Sequence, residues 1–99
     1  MRTLTDLALN KMANYYLDSL SHVLYNLDGE EKRLDFFSKK VVGRTVQVYI
    51  FFDENYKGKI TDIRVIDKDG DIVAVDNKVY ERTTEKALYV AFKHEFVEV

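Results

Sequence analysis

Two histidines have the widest catalytic repertoire of any side chains in this chain, and they stand far apart in it. His22 falls in an apolar N-terminal segment and His94 in an apolar C-terminal one. Neither has a second histidine at metal-ligand spacing, and the carboxylate of Glu95 would project to the opposite face of a strand from His94. We therefore predict that both histidines have packing roles, and we name no catalytic residue.

Three aspartates alternate through residues 67–71, a pattern that invites comparison with a calcium loop. Counted from Asp67, the glycine is fourth and the twelfth residue is Lys78, whereas the helix-loop-helix calcium loop needs glycine sixth and glutamate twelfth. Asp69-Gly70 is instead typical of a hairpin turn. The chain also lacks cysteine, a glycine-flanked serine and a glycine-rich phosphate loop. We predict no metal site, no cofactor and no enzymatic activity.

A small basic group precedes the most strand-like part of the chain. Lys39, Lys40 and Arg44 are candidates for anion binding, because phosphates are held by clustered lysine and arginine. The formal net charge of −2 argues mildly against general affinity for nucleic acid. A nucleic-acid-binding module that combines these three residues with tyrosines of the sheet is kept as an alternative function.

The most strand-like stretch runs from Thr45 to Asp53 and reads T-V-Q-V-Y-I-F-F-D. β-Branched and aromatic residues fill it, Gly43 precedes it, and polar residues follow it. Successive side chains of a strand alternate between its two faces, so one face is purely apolar and must lie on a core. That face carries Val46, Val48, Ile50 and Phe52, and the opposite face carries Tyr49 and Phe51.

Three further segments after this strand have strand character: 59–67, 71–80 and 86–98. Turn signals at 55–58, 68–71 and 82–85 separate them. In the last segment we favour a strand over a short helix capped by Thr84, because its apolar residues alternate. Residues 30–42 fit neither period cleanly, and we favour a strand or short irregular arm there over a helix.

The N-terminal part of the chain has the pattern of one long amphipathic helix. Thr3 can cap its first turn, and Asn26, Asp28 and Gly29 supply turn and C-cap residues at its end. We predict a helix over about residues 3–26, with one stripe facing the core. The stripe comprises Leu4, Leu7, Ala8, Met12, Tyr15, Tyr16, Leu20, Val23, Leu24 and Leu27.

These elements predict a single α+β domain over residues 1–99, built in two layers. A long N-terminal helix (about 3–26) packs on an antiparallel meander of four or five strands (44–98), with the ambiguous arm (30–42) between them. At 99 residues and 46% apolar composition, the chain can form one core. No apolar run approaches the ~20 residues that cross a bilayer. Lacking cysteine and a secretory signal pattern as well, the chain is expected to be cytoplasmic.

The sheet face turned away from the helix is predicted to be unusually apolar. With Val73 and Val75 placed toward the core and Ile60 away from it, alternation assigns several large apolar side chains to this outer face. Its basic residues are balanced: Arg64, Lys78 and Lys93 are matched by Asp62, Asp76 and Glu95. That balance favours a protein partner over nucleic acid. The predicted interface residues are Tyr49, Phe51, Ile66, Ile72, Tyr80 and Tyr89.

The function predicted from these patterns is a small non-enzymatic binding or regulatory domain. It would act through a protein–protein interface on the outer sheet face, with a protein partner or a second copy of the chain as a homodimer. Besides the nucleic-acid alternative, a small-molecule-binding or enzymatic domain would need a pocket between helix and sheet. That pocket would contain His94 or His22 with a carboxylate partner.

Overall fold

The computed structural model describes residues 3–53, 57–82 and 87–97. Within these ranges one helix is followed by antiparallel strands in a single small domain, which confirms the predicted α+β class. The strands exceed the predicted four or five and form two sheets. The elements are α1 (Asp6–Ser19), β1 (Leu20–Leu27), β2 (Glu30–Leu34), β3 (Ser38–Val42), β4 (Thr45–Phe52), β5 (Gly58–Asp67), β6 (Ile72–Asp76), β7 (Tyr80–Arg82) and β8 (Leu88–Glu95).

The two sheets share one hydrophobic core. The large sheet has the strand order β2-β1-β5-β6, with β7 also pairing with β5, and the small sheet has the order β3-β4-β8. Tyr25 of β1 meets Phe52 of β4 edge-on, with ring centroids 5.0 Å apart. Buried valines from both sheets complete the core, among them Val23 and Val65 of the large sheet and Val48 of the small sheet.

The predicted central strand is confirmed as β4. It lies in the middle of the small sheet, and its side chains alternate between buried and half-buried along all eight residues. The four residues predicted to face the core, Val46, Val48, Ile50 and Phe52, are fully buried. β4 therefore fixes which face of the small sheet is internal and which is external.

The predicted helix is too long, because α1 ends at Ser19 and Leu20–Leu27 is strand β1. Leu20 already has extended backbone angles (φ −75°, ψ 140°), and the amide of Lys68 donates to the Ser19 carbonyl at 2.8 Å. A register shift between Leu20 and His22 lets Leu20 and Val23, three residues apart, both face the core. The bulge in β1 thus gives its buried residues a three-residue spacing that is also typical of a helix.

The predicted stripe of α1 is also wrong, since most of its residues in the helix region are exposed. Leu9 and Ala13, four residues apart, are the buried positions of α1, while Leu7 and Tyr15 of the stripe face solvent. Thr5 rather than Thr3 caps the helix, and its Oγ1 accepts a hydrogen bond of 3.1 Å from the Ala8 amide. The small Ala13 side chain, completely buried, lies directly in the core cluster.

A bulge in β5 overturns part of the predicted division between inner and outer faces. Asp62 has a positive φ of 52° and lies within the register shift between Thr61 and Arg64, where β5 has one residue more than β1. The extra residue reverses the alternation, so Ile60, predicted to face outward, is buried in the core. Ile66, also predicted to face outward, is 5% exposed. In β6 the outcome is the reverse, because Val73 and Val75, predicted to face the core, are exposed.

The remaining segments match the predictions more closely. Residues 30–42, favoured as a strand or irregular arm, contain β2 and β3 with a break at 35–37. The last segment is strand β8, as favoured over a helix, and the strand after residue 71 breaks at 77–79 before β7. Parts of the predicted turns at 55–58 and 82–85 lie outside the described residues.

Leu7 and Leu20 both belong to the predicted apolar stripe, but the structure predicts different effects on stability when each is truncated. Leu20→Ala, at a side chain 2% exposed, should lower the free energy of unfolding by about 2 to 5 kcal/mol, because it leaves a cavity in the core. Leu7→Ala, at a side chain 64% exposed, should change it by about 0.5 kcal/mol or less. Urea unfolding followed by circular dichroism measures both values. Equal losses would contradict this placement of α1.

Candidate interaction surface

Three aromatic rings contact one another on the outer face of the small sheet. Phe51 of β4 and Tyr89 of β8 have ring centroids 4.7 Å apart, and Phe37, next to β3, lies 5.4 Å from Phe51 and 5.7 Å from Tyr89. Phe37 is 59% exposed and Tyr89 is 57% exposed, whereas Phe51 is half-buried. We call Phe37, Phe51 and Tyr89 the aromatic cluster.

Backbone pairing holds the aromatic cluster in place. Phe51 and Tyr89 are direct cross-strand partners in the antiparallel pair of β4 and β8, so their side chains project from the same face. The amide of Phe37 donates a 2.9 Å hydrogen bond to the carbonyl of Tyr49, which keeps Phe37 beside β4. Strand pairing therefore positions Phe51 and Tyr89, and a backbone hydrogen bond to β4 positions Phe37.

A cationic row crosses the same outer face next to the aromatic residues. Gln47 of β4 pairs with Lys40 on β3 and with Lys93 on β8, which places both lysines on the face of Gln47. The Tyr49 hydroxyl donates to Gln47 Oε1 at 3.1 Å and so links this row to the aromatic end. We call Lys40, Gln47 and Lys93 the lysine row. Both of its lysines are exposed.

The predicted basic group of Lys39, Lys40 and Arg44 does not form one patch. Lys39 pairs with the buried Val48, so it projects to the opposite face from Lys40. Arg44 is engaged elsewhere, since its Nε donates to Glu95 Oε1 at 3.0 Å and its guanidinium lies 3.9 Å from an Asp6 carboxylate oxygen. The Glu95 carboxylate predicted to balance Lys93 is thus held by Arg44.

The outer face of the large sheet carries a group of paired polar side chains. Arg64 of β5 donates to Glu31 Oε1 of β2 at 2.7 Å, which spans the intervening strand β1, and it also donates to the carbonyl of Asp62 at 2.9 Å. The Asn26 side-chain amide donates to the Asp62 carboxylate at 3.0 Å. These groups satisfy one another, and the exposed Val75 lies beside them as the cross-strand partner of Arg64.

The six predicted interface residues do not share one face. Tyr49, Phe51 and Tyr89 lie together on the small sheet as predicted. Ile66 is 5% exposed and therefore offers a partner little surface. Ile72 and Tyr80 belong to the large sheet, on β6 and β7.

Sequence reasoning missed one residue of the outer face of the small sheet. Phe37 stands in the segment 30–42 that fits neither period, so no alternation rule could assign its face. The sequence does place Lys93 on the same face as Tyr89 and Ala91, with its charge balanced by Glu95. The tertiary pairing of Glu95 with Arg44 removes that balance.

The histidines pack as separate residues. His94 meets the ring of Tyr16 at 5.9 Å and that of Phe92 at 6.4 Å, and its Nε2 is buried with no hydrogen-bond partner in the described part of the chain. His22 Nδ1 shares a 2.9 Å hydrogen bond with the Ser21 hydroxyl. A cavity of about 550 Å³ does lie between α1 and the β3–β4 turn, but Asp6, Leu7, Asn10, Gly43 and Arg44 line it.

The three aspartates of the turn after β5 do converge. Ligand oxygens of Asp67, Asp69 and Asp71 lie within 4.8 Å of one another. Asp67 Oδ1 accepts hydrogen bonds from the Asp69 and Asp71 amides at 3.0 and 2.9 Å, and the Gly70 amide donates to the Asp67 carbonyl at 3.1 Å. The carboxylate of Asp67 thus stabilises the predicted turn.

Comparisons with protein families, curated proteins and solved structures find no match for this chain. In the described ranges, no helix has the length and apolarity needed to cross a membrane.

The position of Tyr80 leads to a pH-dependent prediction. Burial and the 2.7 Å hydrogen bond to Asp76 raise the pKa of Tyr80 from its usual 10.0 to about 12. The folded state thus favours the neutral phenol, so this interaction should stabilise the fold fully below pH 10 and lose its effect as the pH rises toward 12.

Urea unfolding at several pH values tests this linkage. Wild type should exceed Tyr80→Phe in unfolding midpoint at pH 8, and the difference should shrink between pH 10 and about 12. Tyr15→Phe, at an exposed side chain, is the control. If the difference in unfolding midpoint between wild type and Tyr80→Phe stays constant across this pH window, the hydrogen bond to Asp76 would be contradicted.

Proposed function

We propose that this protein is a small non-enzymatic binding domain that acts through a protein–protein interface on the outer face of the small sheet. The observation that carries the proposal is the aromatic cluster, in which two exposed rings rest against the half-buried ring of Phe51. Tyrosine and phenylalanine are enriched in the buried centres of protein interfaces. The partner is another protein or a second copy of this chain.

The energetics of the aromatic cluster support binding. Covering exposed apolar area gains about 25 cal/mol per Å², and aromatic side chains are the largest contributors of such area. Because the three rings already contact one another and two of them are on paired strands, little side-chain entropy remains to be lost when a partner covers them. The surface is therefore preorganised for association.

The contrast between the two outer sheet faces also supports this assignment. On the large sheet, Arg64 and Glu31 form an ion pair across the strands, as expected of a face that remains in water. On the small sheet, the equivalent outward positions near Phe51 carry rings, with Ala91 beside them. Contiguous exposed rings are typical of an interaction surface.

A charge placed in the aromatic cluster tests the proposal. Tyr89→Lys should keep the circular dichroism spectrum of the folded protein and weaken its association by about tenfold or more, because the new ammonium group must be desolvated in the contact. Tyr15→Lys, at an exposed aromatic on α1, is the matched control and should behave like wild type.

Two measurements are compared across these three proteins. Light scattering reports self-association, and capture from a lysate of the native host with quantitative mass spectrometry reports partners. A species lost with Tyr89→Lys and retained with Tyr15→Lys supports the interface. If all three proteins give the same mass and the same captured proteins, the proposal is wrong.

A second candidate function is binding of single-stranded nucleic acid. The observation that favours it is the lysine row, which sets the exposed Lys40 and Lys93 on the face that carries the aromatic rings. Single-strand-binding sheets combine aromatic stacking with positive charge in this way. The row holds two cations, however, and the chain has a formal net charge of −2, so we rank this function second.

Binding to a fluorescent oligothymidylate separates the two functions. A nucleic-acid site should lose affinity with salt at a slope of about −0.7 per phosphate contacted. The double variant Lys40→Glu with Lys93→Glu should reduce binding strongly, while Lys39→Glu, on the opposite face, should change it less. Absence of binding at low salt would exclude this second function.

A further inference from the structure

The edge strands of the two sheets differ in how many charged residues they carry. β2 begins Glu-Glu-Lys-Arg and β3 begins Ser-Lys-Lys, which are the charged sequences that keep a solvent-facing edge from pairing with another strand. β6 reads Ile-Val-Ala-Val-Asp, and β8 starts Leu-Tyr-Val-Ala-Phe. These two strands also end their sheets, yet their central residues lack charge.

The open edges of β6 and β8 border the same groove. It has a volume of about 550 Å³ and lies between residues 75–78, at the end of β6, and residues 91–94 of β8. Across the described residues, β6 pairs only with β5 and β8 only with β4, so each strand has one edge without a strand partner. Unpaired edges with apolar side chains are templates for another strand.

We propose that this groove binds an extended segment of a partner protein, which adds to the edge of β8 as a further strand. Residues 91–94 present four residues of edge, about 14 Å at 3.4 Å per residue, so the segment would pair over at least four residues. Backbone hydrogen bonds supply the affinity in this mode, and alternate side chains supply the specificity. The exposed Val75 and Ala91 would receive apolar side chains of the segment.

The charges of the groove indicate an acidic segment. Lys78 and Lys93 both line it and are exposed. The one carboxylate among the lining residues, Asp76, already accepts hydrogen bonds from the Tyr80 hydroxyl at 2.7 Å and from the Lys78 amide at 2.9 Å. Glutamate or aspartate alternating with apolar residues would therefore complement the groove. This inference does not depend on the aromatic cluster, because the contact is made by the backbone edge.

Synthetic peptides and the full chain provide the test. Three fluorescent octapeptides alternate valine with glutamate, threonine or lysine, and anisotropy should rank their affinities in that order. Two further versions of the glutamate peptide are N-methylated at alternate amides, one at the odd-numbered residues and the other at the even-numbered residues. Each version keeps the side chains and blocks the hydrogen-bond donors along one edge of the peptide. At least one of the two should bind about tenfold more weakly or worse, since several backbone hydrogen bonds are lost together.

Variants of the chain then locate the binding site. Lys78→Glu with Lys93→Glu should reverse the preference, so that the lysine peptide binds better than the glutamate peptide. Lys11→Glu with Lys39→Glu makes the same charge change away from the groove and should retain the original order. Tyr89→Lys should keep peptide binding even where it abolishes association through the aromatic cluster.

Three results would overturn this inference. The first is that none of the peptides binds below millimolar concentration. The second is that both N-methylated versions bind as well as the parent peptide, since side chains and not the strand edge would then make the contact. The third is a dimer by light scattering that Val75→Lys dissociates, because a second copy of the chain would then occupy the groove.

Discussion

The packing of β4 against the large sheet is the interaction on which the rest of the structure depends. Its four inward side chains are buried between the sheets, and the contact of Phe52 with Tyr25 joins the two sheets directly. Once one face of a strand is committed to a core, the other face is determined, because a shift of one residue would expose every buried side chain. The outward position of Phe51 therefore follows from the burial of Ile50 and Phe52.

The same core explains why the two outer faces differ in character. In the large sheet, a bulge in β5 turns Ile60 inward, and Arg64 pairs with Glu31 on the outer face. β4 has no register shift with either neighbour, so its outward residues form continuous rows with those of β3 and β8. Regular pairing in the small sheet thus creates both the aromatic cluster and the lysine row.

The open side between β6 and β8 gives the domain a second kind of surface. The aromatic cluster offers side-chain area, whereas the groove offers unpaired backbone, and β8 contributes to both. A partner segment bound at the edge of β8 would extend the small sheet beside the strand that carries Tyr89. The two proposed surfaces are therefore adjacent in space while they remain chemically distinct.

The sequence by itself determined the α+β class, the strand β4 with its buried and exposed faces, and the turn around Gly70, because these depend on alternation and on residues that favour turns. Only the tertiary structure decided that Leu20–Leu27 is a strand, since a bulge there is fixed by pairing with β5 and imitates a helical period. It also decided that the ring of Phe37 contacts that of Phe51, and that the Glu95 carboxylate pairs with Arg44 and not with Lys93. These contacts join residues far apart in the chain, and local patterns carry no information about such partners.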